Sequence, residues 1–337
     1  MVKVSVILPV YGVAEYIEKC TKSLLAQTLD EMEFLFVDDH GPDDSIDIAK
    51  RTIAGHSRES QFRFLKPEHN LGAGMARNFA IPQAQGQYIA FVDSDDWVEP
   101  TMFEELYNEA VANGTTDLCC CQMQKVYTDG KTGGVLENPQ VGNGEITAEK
   151  RKYLITNYVS LFASFIYKKD FVVSNDIKFA EDRAADDSYF VSCAWMLAKD
   201  IAYVNKPFYN YLIRPGSVCT TKDSTKYEKR ISVFDKLMAY SKEHGVYSDF
   251  KEEIDFMYIK KGYLSSVTNY IINSTDPQKA TFDRIYDYFV KQIPDYKENR
   301  YYRKKKSIRI LVYMFRHTPK LAIRVVRVWV KKNNIIS

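Results

Sequence analysis

The sequence predicts an α/β fold: a doubly wound, mostly parallel sheet, then a helical region and a basic amphipathic tail. Three observations carry that reading. Strand and helix patterns alternate through the first hundred residues, the strand-like runs break off into polar residues, and strand signals fade from about Lys226 onward. With 337 residues and 45% hydrophobic content, the chain can bury one large core or two ordinary ones.

Lys3 to Val10 alternates into a strand that ends at Pro9, and Tyr11-Gly12 is its exit turn. Glu15 to Gln27 repeats apolar residues at helical spacing through Ile17, Cys20, Leu24 and Leu25. Glu33 to Val37 is a second strand ending on Asp38-Asp39, and Gly41 to Ser45 turns into a helix from Ile46 to about Ala54. Phe62 to Leu65 is a third strand; Asn70-Leu71-Gly72-Ala73-Gly74 is a turn into a helix containing Arg77 and Asn78. Tyr88 to Val92 is an unbroken apolar run, the pattern of a strand buried on both faces, and it stops on Asp93, Asp95 and Asp96.

A helix over Met102 to Val111, a strand over Asp117 to Gln124 and a hairpin or loop excursion over Lys125 to Gly144 follow. Leu161 to Tyr167 is a strand or buried segment leading to a short helix. Asp186-Asp187 precedes an apolar helix over Tyr189 to Leu197, with strands expected at Ile201 to Val204 and from Pro207 to Val218. Ile231 to His244, Phe250 to Ile272 and Lys279 to Gln292 are helical by period. The expected organisation is a sheet domain over 1–225, a helical region over 226–299 and a tail over 300–337.

Charge sets the tail apart. Residues 300–337 hold twelve Lys or Arg and no Asp or Glu, leaving 34 basic against 44 acidic residues elsewhere. Lys320, Arg324, Arg327 and Lys331 recur at spacings of four, three and four, so they share one helical face amid Leu321, Ile323, Val325, Val326, Val328, Trp329 and Val330. That pattern suits the plane of an anionic bilayer surface, or a C-terminal helix packed on its own domain. The acidic remainder argues against nucleic acid. Six cysteines without metal-ligand spacing read as reduced, buried thiols. No signal peptide and no transmembrane run is expected, so the protein reads as cytoplasmic and peripheral on the inner face of the plasma membrane.

Three carboxylates leaving one strand repel one another, which favours a hard divalent cation bridging them to an anionic substrate; an acidic turn with a helix N-cap would read similarly. Gly72-Ala73-Gly74-Met75-Ala76-Arg77 lacks the third glycine of a dinucleotide fingerprint and follows the third strand rather than the first. Arg77, one turn inside its helix, is suited to a phosphate or to the neighbouring acids.

Taken together, Val4 to Tyr11, Phe36 to Asp39 with Asp43 and Ser45, Asn70-Leu71-Gly72 with Ala76-Arg77-Asn78, and Phe91 to Trp97 resemble the motifs of the family 2 inverting glycosyltransferases. Pro207 to Val218 is similar to the tyrosine-rich strand and Arg-x-Gly-Ser-type turn of that family. The resemblance covers roughly residues 1–220 and implies the GT-A fold and a nucleotide-diphospho-sugar donor, usually a UDP-sugar. It implies that Pro9, Tyr11 and Asp39 hold the nucleobase with Asp38 nearby, that Asp93 reaches the ribose or sugar, and that Asp95, with Asp93, ligates Mn²⁺ or Mg²⁺. Arg77, Arg214 and Ser217 would meet the diphosphate. The base would be Asp187 of the Asp186-Asp187 pair, with Glu181-Asp182 as a competing pair. His40 departs from the small residue usual after the paired aspartates. The acceptor would be a hydroxyl of a saccharide or lipid-linked saccharide in cell-surface polysaccharide synthesis. A sugar-phosphate nucleotidyltransferase would need a Gly-rich Arg and Lys signature that Pro9 to Gly12 lacks, a phosphatase would carry its Asp-x-Asp near the chain start, and the tail alone fits a non-catalytic membrane-binding protein.

Overall fold

The computed structural model describes residues 1–112, 114–182, 185–214 and 225–332. The chain forms two compact units, Met1–Arg214 and Pro215–Ser337.

In the first unit β1 (Val4–Val10), α1 (Ile17–Leu25), β2 (Met32–Asp38), α2 (Ser45–Ile53), β3 (Phe62–Leu65), α3 (Ala73–Ala80) and β4 (Tyr88–Phe91) alternate as the pattern requires. Every residue of β1 and β4 is buried, because helices cover both faces of a parallel sheet and leave no polar side to a central strand. The sheet order begins β3-β2-β1-β4, all pairings parallel. The chain therefore steps outward from β1 to β3, then returns to lay β4 on the other side of β1. That reversal makes a switch point, and open α/β sheets bind ligands in the crevice outside the strand ends there.

Beyond β4 come β5 (Trp97–Val98), α4 (Met102–Val111), β6 (Leu118–Tyr127), β7 (Thr132–Leu136), β8 (Gly144–Glu145), α5 (Ala148–Asn157), β9 (Phe165–Lys168), α6 (Lys169–Ser174), α7 (Asp186–Leu197) and β10 (Asp200–Ile213). The sheet continues β4-β9-β6-β10-β5, and β9 runs antiparallel to both its neighbours. The 125–144 excursion is the β6–β7 hairpin and its return.

Two expectations for this unit are corrected. Residues 200–213 form one long strand rather than two; the register shifts on either side of Pro207, which has no N–H to give to the ladder. Helix α7 starts at Asp186, three residues early, because Ala185 adopts a left-handed φ of 74° and turns the chain sharply into it. The acidic pair thus sits inside the first helical turn.

The second unit is helical: α8 (Lys226–Glu243), α9 (Val246–Met257), a π-helical stretch Tyr258–Leu264, α10 (Ser265–Asn273), α11 (Lys279–Gln292), α12 (Arg300–Lys304), α13 (Lys306–His317) and α14 (Pro319–Lys332). The helix expected over 250–272 is therefore three pieces, with a non-helical residue at Phe250. Its core includes Phe234, Ile259 and Tyr263, the last stacked on Phe289 at 4.5 Å. Among the described residues no helix is long and apolar enough to cross a membrane. The five described cysteines are buried free thiols, and Cys219 lies outside the described residues.

Candidate active site

The ends of β1 and β2 are level, with Val10 opposite Asp38, so their exit loops meet at once. A Cβ on Gly41 would lie 2.9 Å from the Gly12 nitrogen, which is why only glycine lets these loops touch. Asp43 and Ser45 stitch them: Ala14 N–H donates to Asp43 Oδ2 at 2.9 Å and Val13 N–H to Ser45 Oγ at 3.0 Å. Tyr11 projects from the joined loops, 53% exposed, as an aromatic surface at the mouth of the crevice. Pro9 is buried in the strand, and its carbonyl accepts from Ser94 Oγ at 2.8 Å, tying β1 to the turn after β4.

The paired aspartates have opposite surroundings. Asp39 is 1% exposed; its oxygens accept from Leu71 N–H (2.6 Å), Gly72 N–H (2.8 Å) and Asn70 Nδ2 (3.0 Å), so its carboxylate holds the turn into α3. Asp38 faces a cavity of about 420 Å³ lined also by Val10, His40, Gly41 and Lys66. Burial alone would raise its pKa, but the Lys66 ammonium at 2.8 Å and the His40 N–H outweigh that and hold it below the usual range. His40 accommodates the tight turn with a left-handed φ of 59°, and its ring bonds the Pro67 carbonyl at 2.8 Å.

After β4 the three carboxylates part company. Asp96 turns inward, accepting from Tyr209 Oη at 2.7 Å and Leu212 N–H at 2.7 Å, and it is 2% exposed. It fastens the turn to β10, and the expectation that it faces a shared cation is corrected. Asp93 and Asp95 point outward, each meeting a guanidinium: Arg77 on Asp93 Oδ1, and Arg214 Nε on Asp95 Oδ2 at 2.8 Å. Tyr209 Oη also accepts from Asp93 N–H at 3.0 Å. Arg77 is buried against the Phe162 and Phe179 rings, and Arg214 lies over Tyr16 at 4.8 Å.

The other wall is the start of α7. Phe179 exchanges two 2.8 Å hydrogen bonds with the Asn78 amide, pinning the segment that leads to α7 against α3. At the far end Arg151 caps the Trp195, Met196 and Ala198 carbonyls. So held, Asp186 abuts Gly74, where a Cβ would collide with its carboxylate and come within 3.2 Å of the Phe179 Cβ. Burial, then the Asp187 charge, push Asp186 up to about 6 against the pull of Arg77. Burial also raises Asp93; Arg77 opposes this, while Asp95 and Asp187 add to it. Asp187 accepts from Ser188 N–H at 2.7 Å. Elements remote in sequence thus bring Asp93, Asp95, Asp186, Asp187, Arg77 and Arg214 into one electrostatic neighbourhood. Glu181 and Asp182 precede α7 on the connecting segment, and Ser217 lies outside the described residues.

Asn78, Tyr209, Gly74 and Arg151 were given no role by the sequence. Only a contact about a hundred residues away gives each of the first two its meaning.

Among the described residues no group of three or more His, Cys, Asp or Glu is arranged to hold a metal ion. Asp93 and Asp95 do match the one or two carboxylates that bind a hard divalent ion when substrate phosphates complete its shell. Fully ionised, the four carboxylates and two guanidiniums leave two negative charges, which such an ion would offset before a diphosphate enters.

Known proteins resemble this chain in sequence and in fold. The chain is 27% identical over 259 residues to the putative glycosyltransferase EpsH of Bacillus subtilis, covering 75% of this chain and 73% of that one. Its fold is similar to that of S. aureus TarS (residues 1–349) solved in complex with UDP-GlcNAc, with a TM-score of 0.62, 22% identity, and coverage of 98% and 92%. The mannosyltransferase PcManGT of Pyrobaculum calidifontis, solved with GDP-Man and Mn2+, aligns with a TM-score of 0.54 at 15% identity over 98% of this chain and 88% of its own. Both likenesses place the sheet in the GT-A fold. Residues 5–172, the stretch that builds the switch-point crevice, match the family description Glycosyl transferase family 2, and the chain belongs to that family of glycosyltransferases.

Proposed function

We propose that the protein is a metal-dependent inverting glycosyltransferase that moves a sugar from a nucleotide-diphospho-sugar, a UDP-sugar in the first instance, to a hydroxyl of a saccharide or lipid-linked saccharide in cell-surface polysaccharide synthesis. One observation carries the reading: Arg77 of α3 pairs with Asp93 at the end of β4 while Asp186, at the start of α7, abuts Gly74 of the same helix, which supports a base on α7 beside the carboxylates that would meet the diphosphate.

Pro9, Tyr11 and Asp39 are the nucleobase subsite of this reading, with Asp38 nearby, and Asp39 also holds the turn into α3. Asp95 and Asp93 are the residues that would hold Mn²⁺ or Mg²⁺, which when bound supplies Lewis-acid stabilisation of the diphosphate. Asp187 takes the acceptor hydroxyl proton as that oxygen attacks the anomeric carbon, because the hydroxyl is too weak an acid to ionise near pH 7. The bond to the diphosphate breaks with its electron pair leaving on the diphosphate, and a single displacement inverts the carbon. Arg214 and Arg77 stabilise the departing charge, assisted by Ser217. The complexes of TarS with UDP-GlcNAc and of PcManGT with GDP-Man and Mn2+ support a sugar-nucleotide donor without choosing between nucleobases. The basic C-terminal helices keep the enzyme on the inner face of the plasma membrane, where a lipid-linked acceptor would be found.

The test is donor hydrolysis over a panel of UDP- and GDP-sugars with Mn²⁺ or with chelator. One donor should be hydrolysed slowly in a metal-dependent way, and Asp187→Asn should abolish transfer while binding that donor unchanged. Full transfer by Asp187→Asn overturns the assignment of the base.

A further inference from the structure

The cationic tail has more structure than its sequence pattern shows. Helices α13 and α14 are fastened to the helical unit by one face each. On α13, Val312 and Phe315 are buried, and Arg316 pairs with Asp283 at 2.8 Å. On α14, Ala322, Val326 and Val330 are buried, and Arg327 donates to the Ser274 and Thr275 carbonyls at 3.0 and 3.2 Å. At 3.6 residues per turn, the packed sector of α14 is followed around the helix by Lys320 and Arg324, then by Leu321, Val325, Val328 and Trp329. Those last four are 43–65% exposed. The neighbouring helix adds exposed Ile310 and Tyr313 beside exposed Lys306 and Arg309.

Part of the apolar surface expected to meet lipid, Val326 and Val330, is therefore spent on packing, and Leu321, Val325, Val328 and Trp329 remain outward. We infer that α14, while still packed on its unit, is a preformed docking helix that lays Leu321, Val325 and Val328 into the acyl boundary of an anionic bilayer, with Lys320 and Arg324 at the headgroups. The choice of lipid over a protein partner rests on charge: the outward apolar sector borders basic residues, and the whole 300–337 segment carries twelve basic and no acidic side chains. An anionic sheet of headgroups above a hydrocarbon layer complements both sectors at once. Because the packed face stays buried, no coil-to-helix transition is required, and the ordering entropy of binding is correspondingly small. This deepens the membrane part of the proposed function and does not depend on the sugar chemistry.

The experiment uses the full chain with phosphatidylcholine vesicles with or without phosphatidylglycerol, read by co-sedimentation, alongside donor hydrolysis in vesicle-free buffer. Wild type should bind only the anionic vesicles, lose binding as salt rises, and show no gain in helical circular dichroism on binding. Leu321→Ser with Val328→Ser should weaken partitioning at least about tenfold, the scale of withdrawing two exposed aliphatic side chains from hydrocarbon. Lys320→Glu with Arg324→Glu should shift the salt dependence, and neither pair should alter hydrolysis. The inference is overturned if the serine pair binds like wild type, if it binds poorly but dissociates a dimer so that the face belongs to a second copy, or if binding brings a large rise in helicity. Loss of hydrolysis with vesicle binding intact would instead count against the transferase reading.

Discussion

Replacing Asp186 by Asn tests the electrostatics of the crevice by a route independent of turnover. Asp186 sits against the first turn of α3 with Asp187 beside it, and burial plus that neighbour raise it to about 6. An unfolded chain ionises the same group at about 3.9. Between those values the folded state binds the extra proton, so stability falls as pH rises through the interval and stays lower above it. A displacement from about 4 to about 6 corresponds to about 3 kcal/mol as an upper bound, and relaxation with solvent entry brings the expected effect to about 1–3 kcal/mol. Asp186→Asn has no charge to bury. It should be more stable than wild type at pH 7.5 by that amount, or about 2–10 °C in Tm for a domain of this size, with the advantage fading below about pH 4. Urea unfolding from pH 4 to 8 in the presence of chelator measures it. A variant no more stable than wild type at pH 7.5, with the same pH dependence, would refute the reasoning.

Gly74→Ala places a methyl on the Asp186 carboxylate and near Phe179, so it should destabilise by about 1–3 kcal/mol and lower kcat by displacing α7; thermal melts and initial rates check both. Arg77→Met removes the cation from partly exposed Asp93 and should cost about 1–3 kcal/mol in urea unfolding, with Arg77→Lys in between. Tyr209→Phe removes the donor to buried Asp96 and the acceptor of Asp93 N–H, for a loss of about 1–3 kcal/mol and weaker UDP binding by calorimetry. Asp95→Ala should lower the Mn²⁺-dependent part of UDP affinity, measured by titration with and without Mn²⁺, because it removes one of the two carboxylates that would hold the ion.

Much of the site was legible because its parts are local. A buried strand that ends in acid can be read from ten residues, and Asp38, Asp93 and Asp95 stand where that pattern puts them. Asp96 was misjudged for the same reason: adjacent aspartates look alike until β10 supplies Tyr209 and the Leu212 N–H to one of them. The tail was readable as basic and apolar, yet which apolar residues remain outward depends on the neighbours that Ala322, Val326 and Val330 find.

By itself the sequence determined the alternating βα order, the turns that end the first two strands, the segregation of basic charge into the last forty residues, and the family. These rest on period, backbone sterics and composition, all properties of neighbouring residues. Tertiary structure alone decided which carboxylates face the crevice, which cation meets each, and how α7 is braced by Asn78 and Arg151. Those outcomes depend on desolvation and on pairings across a hundred residues of chain, and neither quantity exists until the sheet has closed around β1 and β4.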